Sequence, residues 1–182
     1  MATKNNRRTI ITKMILKDSL LELMQKKPIS KVSIKEICDL SDMSRSTFYL
    51  HYQDQFALLE DIENEVLEKT FENLAQVNSE PNSIDSIEFF LNYVKENKMT
   101  FGILLCQSEN KSFQQRIIDN VQAHIQSFLP TFFEDNKEKY AYSFIMNGCL
   151  CILTDWINND FDLSSHELAE LIFHCCNNVM MQ

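Results

Sequence analysis

Between residues 44 and 52 the chain reads Ser44-Arg45-Ser46-Thr47-Phe48-Tyr49-Leu50-His51-Tyr52. Arg45, Ser46, Thr47 and Tyr49 are hydrogen-bonding groups crowded at the start of one short helical stretch. Phe48 and Tyr52 recur four residues apart and point to a core. A guanidinium can bond a guanine edge or a phosphate, and small hydroxyls can donate, accept or touch a thymine methyl. The free N–H groups at such a helix start favour phosphate, and Tyr49 and His51 are placed for a sugar-phosphate backbone. This is the chemistry of recognition rather than turnover. No Ser-His-acid order, phosphate loop or glycine fingerprint stands out, so no catalytic residue is assigned. Glu134 and Asp135 read as solvated charges of a polar loop. The six cysteines form no C-x-x-C pair and no zinc-like Cys/His spacing, so neither a metal site nor a cofactor is expected. They read as reduced, mostly buried apolar residues, with the Cys175-Cys176 end as the alternative place for redox sensing.

The elements that must position these groups are helices. Two Gly and three Pro in 182 residues are too few for a strand-and-turn architecture, and the expected class is all-α. A first helix is expected over about 9–26, with Ile11, Ile15, Ser19 and Leu23 along one stripe, Leu16, Leu20 and Met24 beside it, and Lys13, Lys17 and Glu22 on the other face. Ser33-Ile34-Lys35-Glu36 has the form of a capping box, opening a short helix that turns Ile34, Ile37 and Cys38 inward. Ser44 caps a third helix running to about His51. Three short helices, the second and third joined by a tight turn, make a helix-turn-helix. Asp54 then caps a longer helix carrying Phe56, Leu59, Ile62, Val66, Leu67, Phe71 and Leu74. Asn78-Ser79-Glu80-Pro81-Asn82-Ser83 reads as a linker. Beyond it helices are expected over about 84–97, 99–107, 111–129, 138–158 and 165–180.

The formal net charge of −9 argues against a nucleic-acid partner until its distribution is considered. Residues 1–51 hold ten Lys/Arg against five Asp/Glu, a head of +5, whereas residues 52–182 hold seven against twenty-one, a body of −14. A basic head on an acidic body suits a protein that meets phosphate at one end. No apolar run approaches the roughly 18 residues a membrane span needs. The polar N-terminus leads into no signal-peptide core, so the expected location is cytoplasmic, with no membrane partner.

The run from Ser33 to Tyr52, and within it Ser44-x-x-Thr47-Phe48-Tyr49-x-His51-Tyr52, resembles the DNA-binding domain of TetR-type transcriptional regulators. The resemblance covers about residues 9–70. It implies an N-terminal three-helix helix-turn-helix DNA-binding domain over 9–70, with the motif at about 33–52. A helical ligand-binding and dimerisation domain over 71–182 would follow. Carried onto this chain, the DNA-contacting positions are Ser33, Lys35, Ser44, Arg45, Ser46, Thr47, Tyr49 and His51. The implied function is a ligand-responsive repressor that binds a palindromic double-stranded operator as a homodimer. A transcriptional activator, or a protein-interaction adaptor on the same fold with weak DNA binding, is the alternative. Four positions depart from the family's pattern. Asp42 replaces the turn glycine, Ser46 the glycine after Arg45, Tyr52 the closing Phe, and Gln55 the basic residue that often opens the fourth helix. Asp tolerates a left-handed turn better than most residues. Gln55 removes one phosphate contact and lowers the expected salt sensitivity. The run Phe89-Phe90-Leu91-Asn92-Tyr93-Val94-Lys95-Glu96-Asn97 looks like a subgroup whose members include regulators of dihydroxyacetone use.

The resemblance also implies that the last two helices pair with their mates as a four-helix bundle. The segment from Tyr140 to Leu153 is apolar nearly all round and must be covered on both sides. Gly148 would allow close backbone approach there. Leu168, Leu171, Ile172, Cys175 and Val179 give the last helix one stripe. An unidentified small-molecule effector would be held by residues drawn from Phe89, Tyr93, Phe101, Phe128, Phe144, Asn147, Asp155 and Trp156.

Overall fold

The computed structural model describes residues 2–76, 83–106, 111–128 and 134–180. Among these the chain is helical, without strands. The order is α1 (Ala2–Met24), a 3-10 turn (Ile29–Lys31), α2 (Ile34–Ser41), α3 (Arg45–His51), α4 (Gln55–Gln76), α5 (Ile84–Glu96), α6 (Lys98–Cys106), α7 (Lys111–Phe128), α8 (Asn136–Asn158) and α9 (Ser165–Met180). The chain divides into two compact units, Met1–Val66 and Leu67–Gln182. No helix of the described residues is long and apolar enough to cross a membrane.

In the first unit the core is built from Leu16, Leu20, Leu21 and Met24 of α1, Ile37 and Cys38 of α2, Phe48 of α3 and Leu58, Leu59 and Ile62 of α4, joined by Ile29, Val32 and Tyr52. The buried face of α1 is centred on Leu16, Leu20 and Met24, the row beside the expected stripe; of that stripe Ile11 is exposed and Ile15 and Leu23 are half-buried. Burial of three large apolar side chains outweighs part-exposed ion pairs, so this row sets the face. Lys13 and Lys17 do not lie on an outer face, because Lys17 Nζ stands 2.7 Å from Glu65 and 3.0 Å from Asp61 of α4, and Lys13 Nζ 3.4 Å from Asp61. Ser19 is buried, its hydroxyl donating to the Ile15 carbonyl at 2.8 Å. On α4, Phe56 is exposed although it belongs to the apolar series. The side chains of Phe71 and Leu74 lie outside the described part.

The short helices are set by their caps. Ser33 Oγ accepts from the Glu36 N–H at 3.3 Å, and Glu36 Oε2 accepts in return from the Ser33 N–H at 3.0 Å, a closed capping box. Lys27 reaches the same carboxylate at 2.6 Å. The α2–α3 turn passes through Asp42 at φ 51° and ψ 39°, in the left-handed region. The N–H groups of Asp42 and Met43 both return to the Cys38 carbonyl, so the last turn of α2 is closed before α3 begins. Ser44 then caps α3 by accepting from the Thr47 N–H at 3.1 Å, and Asp54 Oδ1 accepts from Ala57 N–H at 2.8 Å to start α4.

In the second unit, α5 packs along α9 and α6 against α8. Leu91, Val94, Phe101, Ile103, Leu104, Leu105, Phe113, Tyr142, Leu153, Trp156, Ile157, Leu168, Ala169 and Ile172 are buried. Tyr142 donates to the Ile118 carbonyl at 2.7 Å and ties α8 to α7. The α8–α9 connection turns sharply, with Asp160 and Phe161 both at positive φ. Its geometry is held by the Trp156 indole N–H donating to the Leu163 carbonyl at 3.0 Å, by Trp156 meeting Phe161 edge to face at 4.7 Å, and by the pairing of Lys98 with Asp160. On α9, Leu168 and Ile172 are buried as the stripe requires, but Leu171 and Cys175 are exposed, and Val179 lies outside the described side chains. The cysteines as a class depart from the expectation of burial: only Cys38 is buried, and Cys151 and Cys175 are exposed. Cysteine packs well in helices, but these positions fall on faces the single chain leaves uncovered.

Two outcomes follow from the caps. Asp42→Val should cost about 1–2 kcal/mol, because a β-branched residue resists the left-handed turn, whereas Asp42→Gly should stay within about 0.5 kcal/mol of the parent on the stabilising side; chemical denaturation of the three proteins measures both. Glu36 is held at about 2, well below the usual 4.5, chiefly by its hydrogen bond from Lys27 and then by those from Ser33. A carboxylate lowered on folding stabilises above its unfolded value and ceases to do so as pH falls through the folded one. The thermal midpoint of the parent should therefore exceed that of Glu36→Gln at neutral pH, and the gap should close between pH 4.5 and about 2.

Candidate nucleic-acid interface

The candidate interface is the outer face of α3, and its shape follows from what lies beneath it. Phe48 is fully buried and Tyr52 nearly so, with ring centroids 6.0 Å apart. The Tyr52 hydroxyl donates to Asp61 Oδ2 at 2.7 Å, the same oxygen that Lys17 and Lys13 approach. Burial, reinforced by this bond to a carboxylate, pushes the Tyr52 hydroxyl well above the usual tyrosine range, so it remains a donor. Asp61 feels burial in the opposite sense, but the hydrogen bonds from Tyr52 and Lys17 outweigh it and hold the carboxyl below its ordinary value. Lys13 also sits 5.3 Å from the Tyr52 ring centroid, in cation–π range. One carboxylate on α4 thus anchors the end of α3 and the middle of α1.

With that side of α3 committed to the core, two rows remain on its outer side. Arg45 and Tyr49 form one row and Ser46 and Leu50 the other, each four residues apart. All four are exposed, Tyr49 at 57% and Leu50 at 78%. Tyr49 meets Phe48 edge to face at 5.7 Å, which steadies a ring that is otherwise in solvent. At the helix start the hydroxyls interlock: Ser44 Oγ lies 2.8 Å from both Ser46 Oγ and Thr47 Oγ1. Thr47 and His51 are half-buried, and the His51 ring lies tilted 6.4 Å from that of Tyr52. On α2, Ser33 is the exposed N-cap and Lys35 is exposed one turn away from the core. The eight positions read from the sequence thus lie in one unit on the two short helices, Ser33 and Ser44 serving as caps and Arg45, Ser46 and Tyr49 facing out. Leu50, to which the sequence reading gave no role, stands exposed beside Ser46 on the same face.

The residues considered for an effector do not come together. Phe89 and Tyr93 line an open groove of about 800 Å³ with Lys69, Asn92, Lys95 and Glu96. Asn147 and Asp155 line a second cleft of about 410 Å³ between α7 and α8, with Gln114, Gln115, Ile118, Leu150, Cys151 and Thr154. Phe101 and Trp156 are buried, Phe101 making an edge-to-face contact with Tyr93 at 5.6 Å behind the first groove. Phe144 is 69% exposed. The side chain of Phe128 lies outside the described residues. Among the described residues no cluster of His, Cys, Asp and Glu could hold a metal ion.

Comparison with known proteins gives this geometry a context. Residues 81–178, more than half the chain, match the family model of a TetR transcriptional regulator C-terminal region. The chain is 19% identical over 170 residues, 87% of its length, to the HTH-type transcriptional regulator YxbF of Bacillus subtilis (strain 168); that match spans only 43% of YxbF. It is 23% identical over 148 residues, 81% of its own length and 75% of the relative's, to the HTH-type dhaKLM operon transcriptional activator DhaS of Lactococcus lactis subsp. lactis (strain IL1403). The fold is similar to the crystal structure of a TetR transcriptional regulator from Streptococcus agalactiae 2603V, with a TM-score of 0.71 at 18% identity, covering 97% of this chain and 99% of that one. With a family model matched over more than half its length, the chain belongs to the TetR-type family of transcriptional regulators.

Proposed function

We propose that the chain is a double-stranded-DNA-binding transcription regulator that acts as a homodimer in the cytoplasm, with residues 9–70 as its DNA-binding domain and 71–182 as its ligand-binding and dimerisation domain. The observation that supports this most is the outer face of α3. Arg45 and Tyr49 stand exposed on a helix whose other side is locked to Asp61 through Tyr52. In this reading Arg45 and Ser46 meet base edges, and Leu50 adds an apolar contact for a thymine methyl. Tyr49, His51, Lys35 and the capping serines meet the backbone. Two heads must be about 34–36 Å apart to enter successive major grooves, which makes the operator palindromic. The continuous helix α4, Gln55–Gln76, links the recognition unit to the body. An effector that favours another head spacing weakens DNA binding by a coupling of roughly 1–3 kcal/mol. Its two candidate seats are the Phe89–Tyr93 groove and the Asn147–Asp155 cleft.

The dimer is assigned to α8 and α9. Tyr140 at 77% and Phe144 at 69% exposure, together with exposed Leu171, are too apolar to be left to water. A Cβ on Gly148 would meet nothing within 4 Å, so the room for close approach at that position is open to a second copy. Repression is the first reading of the outcome. Activation is the second, favoured by the likeness to the activator DhaS. An adaptor that binds DNA weakly and acts through another protein is motivated by Gln55, which supplies no charge at the start of α4.

Two experiments test the proposal. In a fluorescence-anisotropy titration on the gene's own upstream DNA, Arg45→Ala and Tyr49→Ala should each weaken specific binding by about 1–3 kcal/mol, roughly 5- to 150-fold. Weak, sequence-blind and salt-labile binding by the parent would instead favour the adaptor. In sedimentation velocity the parent should be a dimer at micromolar concentration, and the double change Phe144→Glu and Leu171→Glu should give a folded monomer. A dimer that persists would move the interface elsewhere.

A further inference from the structure

Cys149 of α8 and Cys176 of α9 face each other with their sulfurs 4.0 Å apart. The arrangement follows from helix geometry. Cys149 lies nine residues before the end of α8 at Asn158, and Cys176 eleven residues after the start of α9 at Ser165. At about 1.5 Å per residue, both sit roughly 14–17 Å from the turn, level with one another across the helical hairpin. The turn that sets this register is braced by the Trp156–Leu163 hydrogen bond and the Trp156–Phe161 contact. Both thiols are half-buried. The other cysteines stand apart: Cys38 is buried in the first unit, Cys106 Sγ lies 3.9 Å from the Thr154 carbonyl, Cys151 Sγ 3.9 Å from Asp155, and Cys175 is exposed.

We propose that Cys149 and Cys176 form a peroxide-responsive dithiol site that closes to an intramolecular disulfide pinning α8 to α9. A disulfide needs the sulfurs at about 2.05 Å, so each must move by about 1 Å, a small side-chain rotation. The roles within the pair are unequal. The two sulfurs share one hydrogen bond in which either can donate; it lowers the Cys176 thiol below its ordinary value and, ahead of burial, raises that of Cys149. With this polarity, and with Cys176 beside the exposed Cys175 at the open end of α9, we assign Cys176 as the thiolate that attacks. It takes one oxygen of a hydroperoxide as the O–O bond breaks, becoming a sulfenic acid and releasing hydroxide or alkoxide, which picks up a proton. The Cys149 sulfur then attacks the Cys176 sulfur. The S–OH bond breaks, and the departing hydroxide leaves as water with the Cys149 proton. With hydrogen peroxide, two thiols and one peroxide give one disulfide and two waters, a two-electron oxidation of the sulfurs.

The test uses the full chain, reduced and then treated with equimolar hydrogen peroxide before alkylation and mass spectrometry. The expected product has lost two hydrogens and keeps four of its six cysteines open to alkylation, with a Cys149–Cys176 cross-linked peptide that reductant releases. Its thermal midpoint should be higher than that of the reduced protein. Cys149→Ser should stop at a sulfenic acid on Cys176 that a 1,3-dione traps, and Cys176→Ser should not react. Six alkylatable thiols after peroxide, accumulation of a sulfinic acid on Cys176 in the parent, or a covalent dimer through Cys175 would each overturn the assignment.

Discussion

The recognition unit depends on one carboxylate. Asp61 accepts from the Tyr52 hydroxyl and stands within ion-pair range of Lys17 and Lys13, so three helices meet at a single oxygen. α3 has only seven residues and could not hold its own geometry in water. Its rigidity comes from Phe48 packed beneath it, from Ser44 at its start and from Tyr52 at its end. A partly buried charge with three donors is favourable only as a complete set, since removing one donor leaves the remaining charges poorly compensated. With Leu16, Leu20 and Met24 of α1 packed inward, Lys13 and Lys17 lie alongside α4 and complete that set.

What was legible in the sequence is what local rules decide. Ser33 with Glu36 three residues on, Ser44 before a short apolar-polar run, and Asp54 before a long one each named a helix start, and each forms its cap. Asp42 between two short helices named a left-handed turn. Both apolar rows of α1 were legible, but which of them is buried was not, because that depends on how α1 is seated against α4, some 48 positions away. Leu50 carried no signal for a related reason: a seven-residue helix shows its outer face only once its partners have covered the inner one. The cysteines were misread as a class because composition cannot say that Cys149 meets Cys176, which requires the length of the α8–α9 turn as well as the period of both helices.

The recognition surface gains definition once its hydroxyls are accounted for. Ser44 Oγ accepts from the Thr47 N–H and lies within hydrogen-bond distance of the Ser46 and Thr47 hydroxyls, so its first duty is to the helix. Ser33 has the same duty toward Glu36. Such groups can offer a spare lone pair or proton to a phosphate, but they do so from fixed positions and with part of their capacity already used. Arg45 and Tyr49 carry no such obligation to a cap. In the proposed reading such a surface separates positioning from reading, with the caps and Tyr49 fixing the frame on the backbone and Arg45 left to discriminate.

The body presents the opposite problem, with surface left over rather than surface committed. Tyr140, Phe144 and Leu171 are exposed on the two helices that also carry Cys149 and Cys176 at their seam. A covering partner and a covalent link across the seam are physically different constraints. The first acts on the outward faces of α8 and α9, and the second acts on the angle and register between them. Because ridges of one helix pack into grooves of the next, a change in register moves every outward side chain together. Closing the two sulfurs by side-chain rotation leaves that register as it is, so the proposed disulfide would hold the apolar face in place rather than shift it.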